Sequence, residues 1–103
     1  MEWTIGCTTR PYNSLSYAEA FARIARAGYT DVAVFANEGQ VPVQADSAAA
    51  EVAAVRRAAA DAGVSPSMLI GRTRLDLGLA AAIEDYKRLI AHTAALGTTW
   101  LLD

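Results

Sequence analysis

The chain has 103 residues, 53% of them apolar, with a single cysteine and a formal net charge of −2. That size suits one small domain with its own core, so residues 1–103 read first as a single domain. The acidic balance and scattered Lys and Arg argue against nucleic acid, no apolar run nears the roughly 20 residues that span a bilayer, and the start shows no secretory signal. A lone Cys7 fits a reducing, cytoplasmic setting.

Trp3-Thr4-Ile5-Gly6-Cys7-Thr8 reads as the first strand, with Trp3, Ile5 and Cys7 on one face. A turn-rich loop, Thr9 to Leu15, follows. Ser16 with Glu19 three residues on is a capping box that opens the first helix. Its buried face is expected to carry Tyr17, Ala20, Phe21, Ile24 and Gly28, with a Glu19–Arg23 pair outside.

Val32-Ala33-Val34-Phe35 is a continuous apolar run, which predicts a strand buried on both faces. The connection from Ala36 to Ala45 is the longest in the chain, a length at which loops are often functional. Asp46 or Ser47 is expected to cap a second helix running to Ala62, with Val52, Val55 and Ala59 as its stripe and Arg56 and Arg57 toward water. Pro66 then opens a third strand through Gly71, where its missing N–H does least harm.

The charged loop from Arg72 to Gly78 leads into a third helix, Leu79 to Leu96. Its stripe is read as Ile83, Tyr86, Ile90 and Thr93, flanked by Leu79, Leu89 and Leu96, with a Glu84–Arg88 pair on the surface. Trp100 to Asp103 forms the fourth strand.

One phrase recurs through this order. Each Ala-rich run ends at a glycine (Gly28, Gly63, Gly97), and a short apolar stretch follows. The glycines stand roughly 35 residues apart, the size of one βα unit. Each predicts a helix closed by a left-handed residue, which glycine adopts at no steric cost. The third copy reaches only its strand, and the expectation is a functional unit larger than these residues.

The fold class is therefore α/β, a β-α-β-α-β-α-β parallel arrangement with right-handed crossovers. Two architectures accept it: an open doubly wound sheet, or an incomplete (β/α)8 barrel segment, since a full barrel takes about 250 residues.

Ile5 to Pro11, Gly28-Tyr29-Thr30-Asp31-Val32 and Ala95-Leu96-Gly97 together resemble the N-terminal part of the sugar phosphate isomerase/epimerase family, the xylose-isomerase-like TIM barrels. The resemblance runs over the whole chain but over only part of such a barrel. It implies an isomerase or epimerase acting on a sugar or sugar phosphate, with a divalent metal (Mg, Mn or Zn) in a full-length member. The family holds that metal on later strands, so no metal ligand is assigned in this chain, and the segment is expected to be inert alone.

In such folds ligands sit at the carboxyl ends of the strands. On that rim the candidate substrate-binding residues are Thr8, Arg10, Asn37, Glu38, Arg72 and Asp103. Arginines there suit an anionic or polyhydroxyl substrate, while the competing reading has them capping helices or pairing with Glu38 and Asp76. No catalytic residue is assigned. His92 lies about 200° round the third helix from Ile90 and reads as a solvated surface residue. Cys7 reads as a small buried strand residue, and Asp61, Glu84 and Asp85 as helix-surface charges.

Two other functions compete. One is a structural module, a partial barrel that self-associates through its exposed strand edges. The other is a fragment of an endonuclease-IV-like DNA repair barrel, which shares the fold but is disfavoured by the acidic balance.

Overall fold

A computed structural model describes residues 3–12, 14–35, 43–71 and 74–102. The elements are β1 (Gly6–Thr8), α1 (Tyr17–Arg26), β2 (Asp31–Val34), α2 (Ala49–Ala62), β3 (Ser65–Ile70), α3 (Leu79–Ala95) and β4 (Leu101–Leu102). Short 3-10 turns at Arg10–Tyr12 and Leu75–Leu77 precede α1 and α3.

The four strands form one parallel sheet in the order β1-β2-β3-β4. That order decides between the two architectures. A doubly wound sheet must reverse its strand order to place helices on both faces, and this one never reverses. With right-handed crossovers, a monotonic order puts every helix on the same face. Helix α1 packs on α2 and α2 on α3, as a single layer requires.

The spacings then force curvature. Adjacent strands lie about 4.8 Å apart, whereas packed helices need about 8–10 Å. One helix per strand interval fits only if the sheet curls away from the helix layer. The chain is an arc of a (β/α)8 barrel.

All three helices end as the repeated glycine predicts. Gly28, Gly63 and Gly97 have φ of 99°, 81° and 83°. In each case the glycine N–H and the N–H after it bond back to the last turn: Gly28 to Ala25 and Tyr29 to Ile24, Gly63 to Ala60 and Val64 to Ala59, Gly97 to Ala94 and Thr98 to Thr93. This is the same Schellman closure three times. It turns the chain sharply enough for the next strand to start beneath its own helix.

The helix starts differ from one another. Ser16 caps α1, its Oγ accepting from Glu19 N–H at 3.2 Å. For α2 the cap is Ala48, not Asp46 or Ser47. Ala48 has no side-chain acceptor, and the Glu51 carboxylate instead accepts from Ala48 N–H at 3.1 Å. Ser47 Oγ accepts from Gln44 N–H at 2.8 Å and closes the preceding turn.

The core lies between the sheet and the helix layer: Phe21 and Ile24 of α1, Val32 and Val34 of β2, Val52 and Val55 of α2, Leu69 of β3 and Leu89 of α3. Strand β2 is buried fully on this face only, with Ala33 half-buried on the other, because no helix covers that side. Strand β1 is shorter than expected, and Trp3 and Ile5 before it are exposed. Gly28 is exposed rather than on the buried face of α1. Between Val32 and Ala33 the β2–β3 register shifts beside Pro66, the one residue of β3 without an N–H to give the ladder.

Helix α3 is rotated from its expected face. Ala82, Asp85, Leu89, Thr93 and Leu96 are buried, and Leu79, Ile83, Tyr86 and Ile90 form an exposed stripe. Two surface assignments change with it. Arg88 pairs with Asp85 at 3.5 Å rather than with Glu84, which takes Lys87 at 3.0 Å. Arg56 Nη1 donates to Ala95 O at 3.1 Å, so α2 helps cap the end of α3.

Candidate substrate-binding rim

The carboxyl ends of the strands open on one edge of the arc. At the end of β1 the chain turns at Thr9, which is fully buried although polar. Its N–H donates to Ala33 O at 3.1 Å, extending the β1–β2 ladder by one residue. Its hydroxyl does more. Thr9 Oγ1 accepts from Phe35 N–H at 3.0 Å and donates to Phe35 O at 3.1 Å. One side chain thus satisfies both backbone groups of the residue that follows β2, where the ladder has run out.

This clamp sets what stands above it. Arg10 starts the 3-10 turn, and its N–H donates to Thr8 Oγ1 at 3.3 Å. The Arg10 guanidinium lies over the Phe35 ring, 5.2 Å from the centroid. A contact of this kind at an exposed site is worth about 0.5–1 kcal/mol. A cation–π contact needs none of the guanidinium N–H groups as hydrogen-bond donors to a carboxylate, so they remain available to other partners. Among the described residues no carboxylate pairs with Arg10. Thr8, Arg10 and Phe35 therefore make a short polar and aromatic shelf.

At the end of β3 the chemistry is structural. Gly71 N–H donates to Leu102 O at 2.8 Å, and a Cβ on Gly71 would stand 3.0 Å from Leu89 Cδ1, so α3 approaches closely here. Arg74 then grips α3 through a two-point contact with Asp85: Nε to Oδ2 at 2.7 Å and Nη2 to Oδ1 at 3.1 Å. The Asp85 side chain is only 4% exposed, so its charge is held within the fold rather than on the surface. The hydrogen bonds from Arg74 hold the Asp85 carboxyl below its ordinary range, with Arg88 adding to the effect, and the Arg74 guanidinium is correspondingly raised. Such a carboxylate stays ionised and is no candidate for proton transfer.

Asn37, Glu38, Arg72 and Asp103 lie outside the described residues. Of the expected rim residues, the structure brings Thr8 and Arg10 together. Thr9 and Phe35 organise the shelf. For Phe35 the signal was its place as the last residue of the second strand's apolar run, at the carboxyl end.

His92 is half-buried, and its Nε2 lies 3.2 Å from the Ala45 carbonyl oxygen. A carbonyl only accepts, so Nε2 donates and ties α3 to the segment before α2. A shallow groove of about 340 Å³ lies alongside, lined by Asp46, Ser47, Arg88 and His92. It sits on the helix layer, away from the shelf. Cys7 is half-buried and packs against the core. No group of three or more His, Cys, Asp or Glu among the described residues is placed to hold a metal ion, and no described helix is long and apolar enough to cross a membrane.

No family model matches the chain, and no curated protein sequence matches it. Among solved structures it is similar to D-psicose 3-epimerase crystallised in the presence of D-fructose, with 16% sequence identity and a TM-score of 0.60. The alignment covers 94% of this chain and 36% of that one, so the chain spans about a third of that protein's length. At this identity the likeness is one of fold alone, and it agrees with the TIM-barrel segment that the strand order describes.

Proposed function

We propose that the chain is a segment of a sugar isomerase or epimerase barrel, and that the shelf of Thr8, Arg10 and Phe35 contacts a sugar or sugar phosphate. The observation that carries this reading is Arg10, held over the Phe35 ring at the carboxyl end of the sheet and paired with no carboxylate among the described residues. The fold likeness to an epimerase crystallised with a ketose supports the substrate class. Asn37, Glu38, Arg72 and Asp103 belong to the same proposal by their place in the sequence, after β2, β3 and β4.

Alone, the chain binds but does not turn over. A divalent metal belongs to the complete enzyme in this reading. The described residues do not fit such an ion, so no step is derived through one. What these residues do is bind and orient: the Arg10 N–H donors engage hydroxyl or phosphate oxygens, and Phe35 holds the guanidinium in place beneath them. Assaying the chain with Mg²⁺, Mn²⁺ and Zn²⁺ on ketohexoses and their phosphates tests the point. Robust isomerisation or epimerisation by the chain would overturn the assignment of inertness.

A further inference from the structure

We propose that the shelf is an anion subsite: it takes a negatively charged, acceptor-only group of the ligand, a phosphate or a carboxylate, in preference to a neutral sugar. Such a subsite presupposes that the shelf is the ligand site proposed above, and it narrows the class of ligand held there.

The balance of hydrogen-bonding groups points to it first. Thr8 Oγ1 accepts from the Arg10 N–H at 3.3 Å, which leaves the hydroxyl its own proton to give. The Arg10 guanidinium adds donors and no acceptor. The acceptors around them are already in use. Ala33 O takes the Thr9 N–H at 3.1 Å, Thr9 O takes the Tyr12 N–H at 3.0 Å, and Phe35 O takes the Thr9 hydroxyl at 3.1 Å. An ionised phosphate or carboxylate brings only acceptors to such a place. A sugar hydroxyl brings a proton as well, and here that proton meets oxygens that are already engaged.

Charge points the same way. Two described arginines stand where the chain leaves a strand at its carboxyl end, Arg10 after β1 and Arg74 after β3. Arg74 is neutralised by Asp85 through two bonds, whereas Arg10 has no carboxylate partner among the described residues. The whole chain carries a net charge of −2, so its overall field does not gather anions, and a preference for them has to be local. A guanidinium meets a phosphate or carboxylate through two parallel bonds, which a single hydroxyl cannot reproduce.

The aromatic ring completes the case. Phe35 is the part of the shelf that would suit a neutral sugar, but the Arg10 guanidinium lies over that ring, 5.2 Å from its centroid. A ligand approaching from that side meets the charge before the ring. The groove beside His92 is a poorer anion site, because Asp46 lines it and its Arg88 is paired with Asp85 at 3.5 Å.

The test titrates nitrogen-15-labelled chain with fructose 6-phosphate, gluconate and fructose at one ionic strength, following the amides of Thr8, Thr9, Arg10 and Phe35. Fructose 6-phosphate is expected to bind the shelf at least about tenfold more tightly than fructose. Gluconate ahead of fructose assigns the preference to negative charge in general, and gluconate level with fructose assigns it to phosphate; both uphold the subsite. Fructose binding the shelf as tightly as fructose 6-phosphate overturns the anion subsite and leaves the shelf a sugar site. No shift at the shelf with any of the three ligands overturns both. Arg10→Gln, which keeps N–H donors without the charge, is expected to bring the affinities for fructose 6-phosphate and fructose to within about twofold of each other. A tenfold preference that survives this change places the anion elsewhere and overturns the assignment. Arg10 is exposed, and the amide spectrum of the variant confirms that it is folded.

Discussion

Thr9 and Phe35 exchange two hydrogen bonds through one hydroxyl, which both accepts from the Phe35 N–H and donates to the Phe35 carbonyl. This links the ends of β1 and β2 across 26 residues of sequence. Thr9→Val keeps the shape and removes the hydroxyl, leaving two backbone groups without their partner. The expected loss is about 1–3 kcal/mol by denaturant unfolding, and Thr9→Ser restores most of it. Equal stability of the valine and serine variants would show that the hydroxyl is not the clamp.

The Asp85 pair makes stability depend on acid. Its carboxyl is lowered by the hydrogen bonds from Arg74, then by the positive charges of Arg74 and Arg88. A depressed carboxylate contributes in full above the ordinary value, about pH 4, and loses that contribution as pH falls through its lower folded value. The melting temperature of the chain should therefore exceed that of Asp85→Asn near neutrality, with the gap closing as pH falls below about 4. A gap that stays constant on acidification contradicts this.

Gly63 and Gly97 share a backbone conformation but not surroundings. A Cβ on Gly63 meets nothing within 4 Å, whereas one on Gly97 stands 3.0 Å from Arg56 Nη2. Gly63→Ala should cost about 1–2 kcal/mol for the left-handed backbone alone. Gly97→Ala should cost more, since Arg56 must give way and loosen its bond to Ala95 O. In an Arg56→Ala background the two costs should agree within about 0.5 kcal/mol, which a double-mutant cycle reads directly.

The rotation of α3 separates two leucine-like positions. Leu89 is fully buried, and Leu89→Ala is expected to cost about 2–5 kcal/mol. Ile83 is 46% exposed, and Ile83→Ala should stay within about 0.5 kcal/mol. Comparable losses at both sites would place the buried face where the apolar spacing alone suggests.

Those four cases also mark what sequence carries. The glycine closures were legible because a Schellman turn is made within one stretch of chain. The Ser16 cap was legible for the same reason. The face of α3 was not. The row Leu79, Ile83, Tyr86, Ile90 has the better apolar spacing, yet the sheet takes the row holding Asp85, because Arg74 from the preceding loop neutralises it in place. Thr9 was legible only as the start of the loop after the first strand, because its bond to Phe35 joins two strands whose adjacency exists only in the folded sheet. Topology settled the remaining ambiguity. Alternating βα pattern fits open and closed sheets alike, and only the strand order distinguishes them.

The central claim is that the shelf at the ends of β1 and β2 binds a sugar or sugar phosphate. The direct measurement is a titration of nitrogen-15-labelled chain with fructose and with fructose 6-phosphate, followed residue by residue. The account predicts saturable shifts centred on Thr8, Thr9, Arg10 and Phe35, lost in Arg10→Ala. Shifts confined to the groove around Asp46 and His92, or no shifts at all, would contradict it.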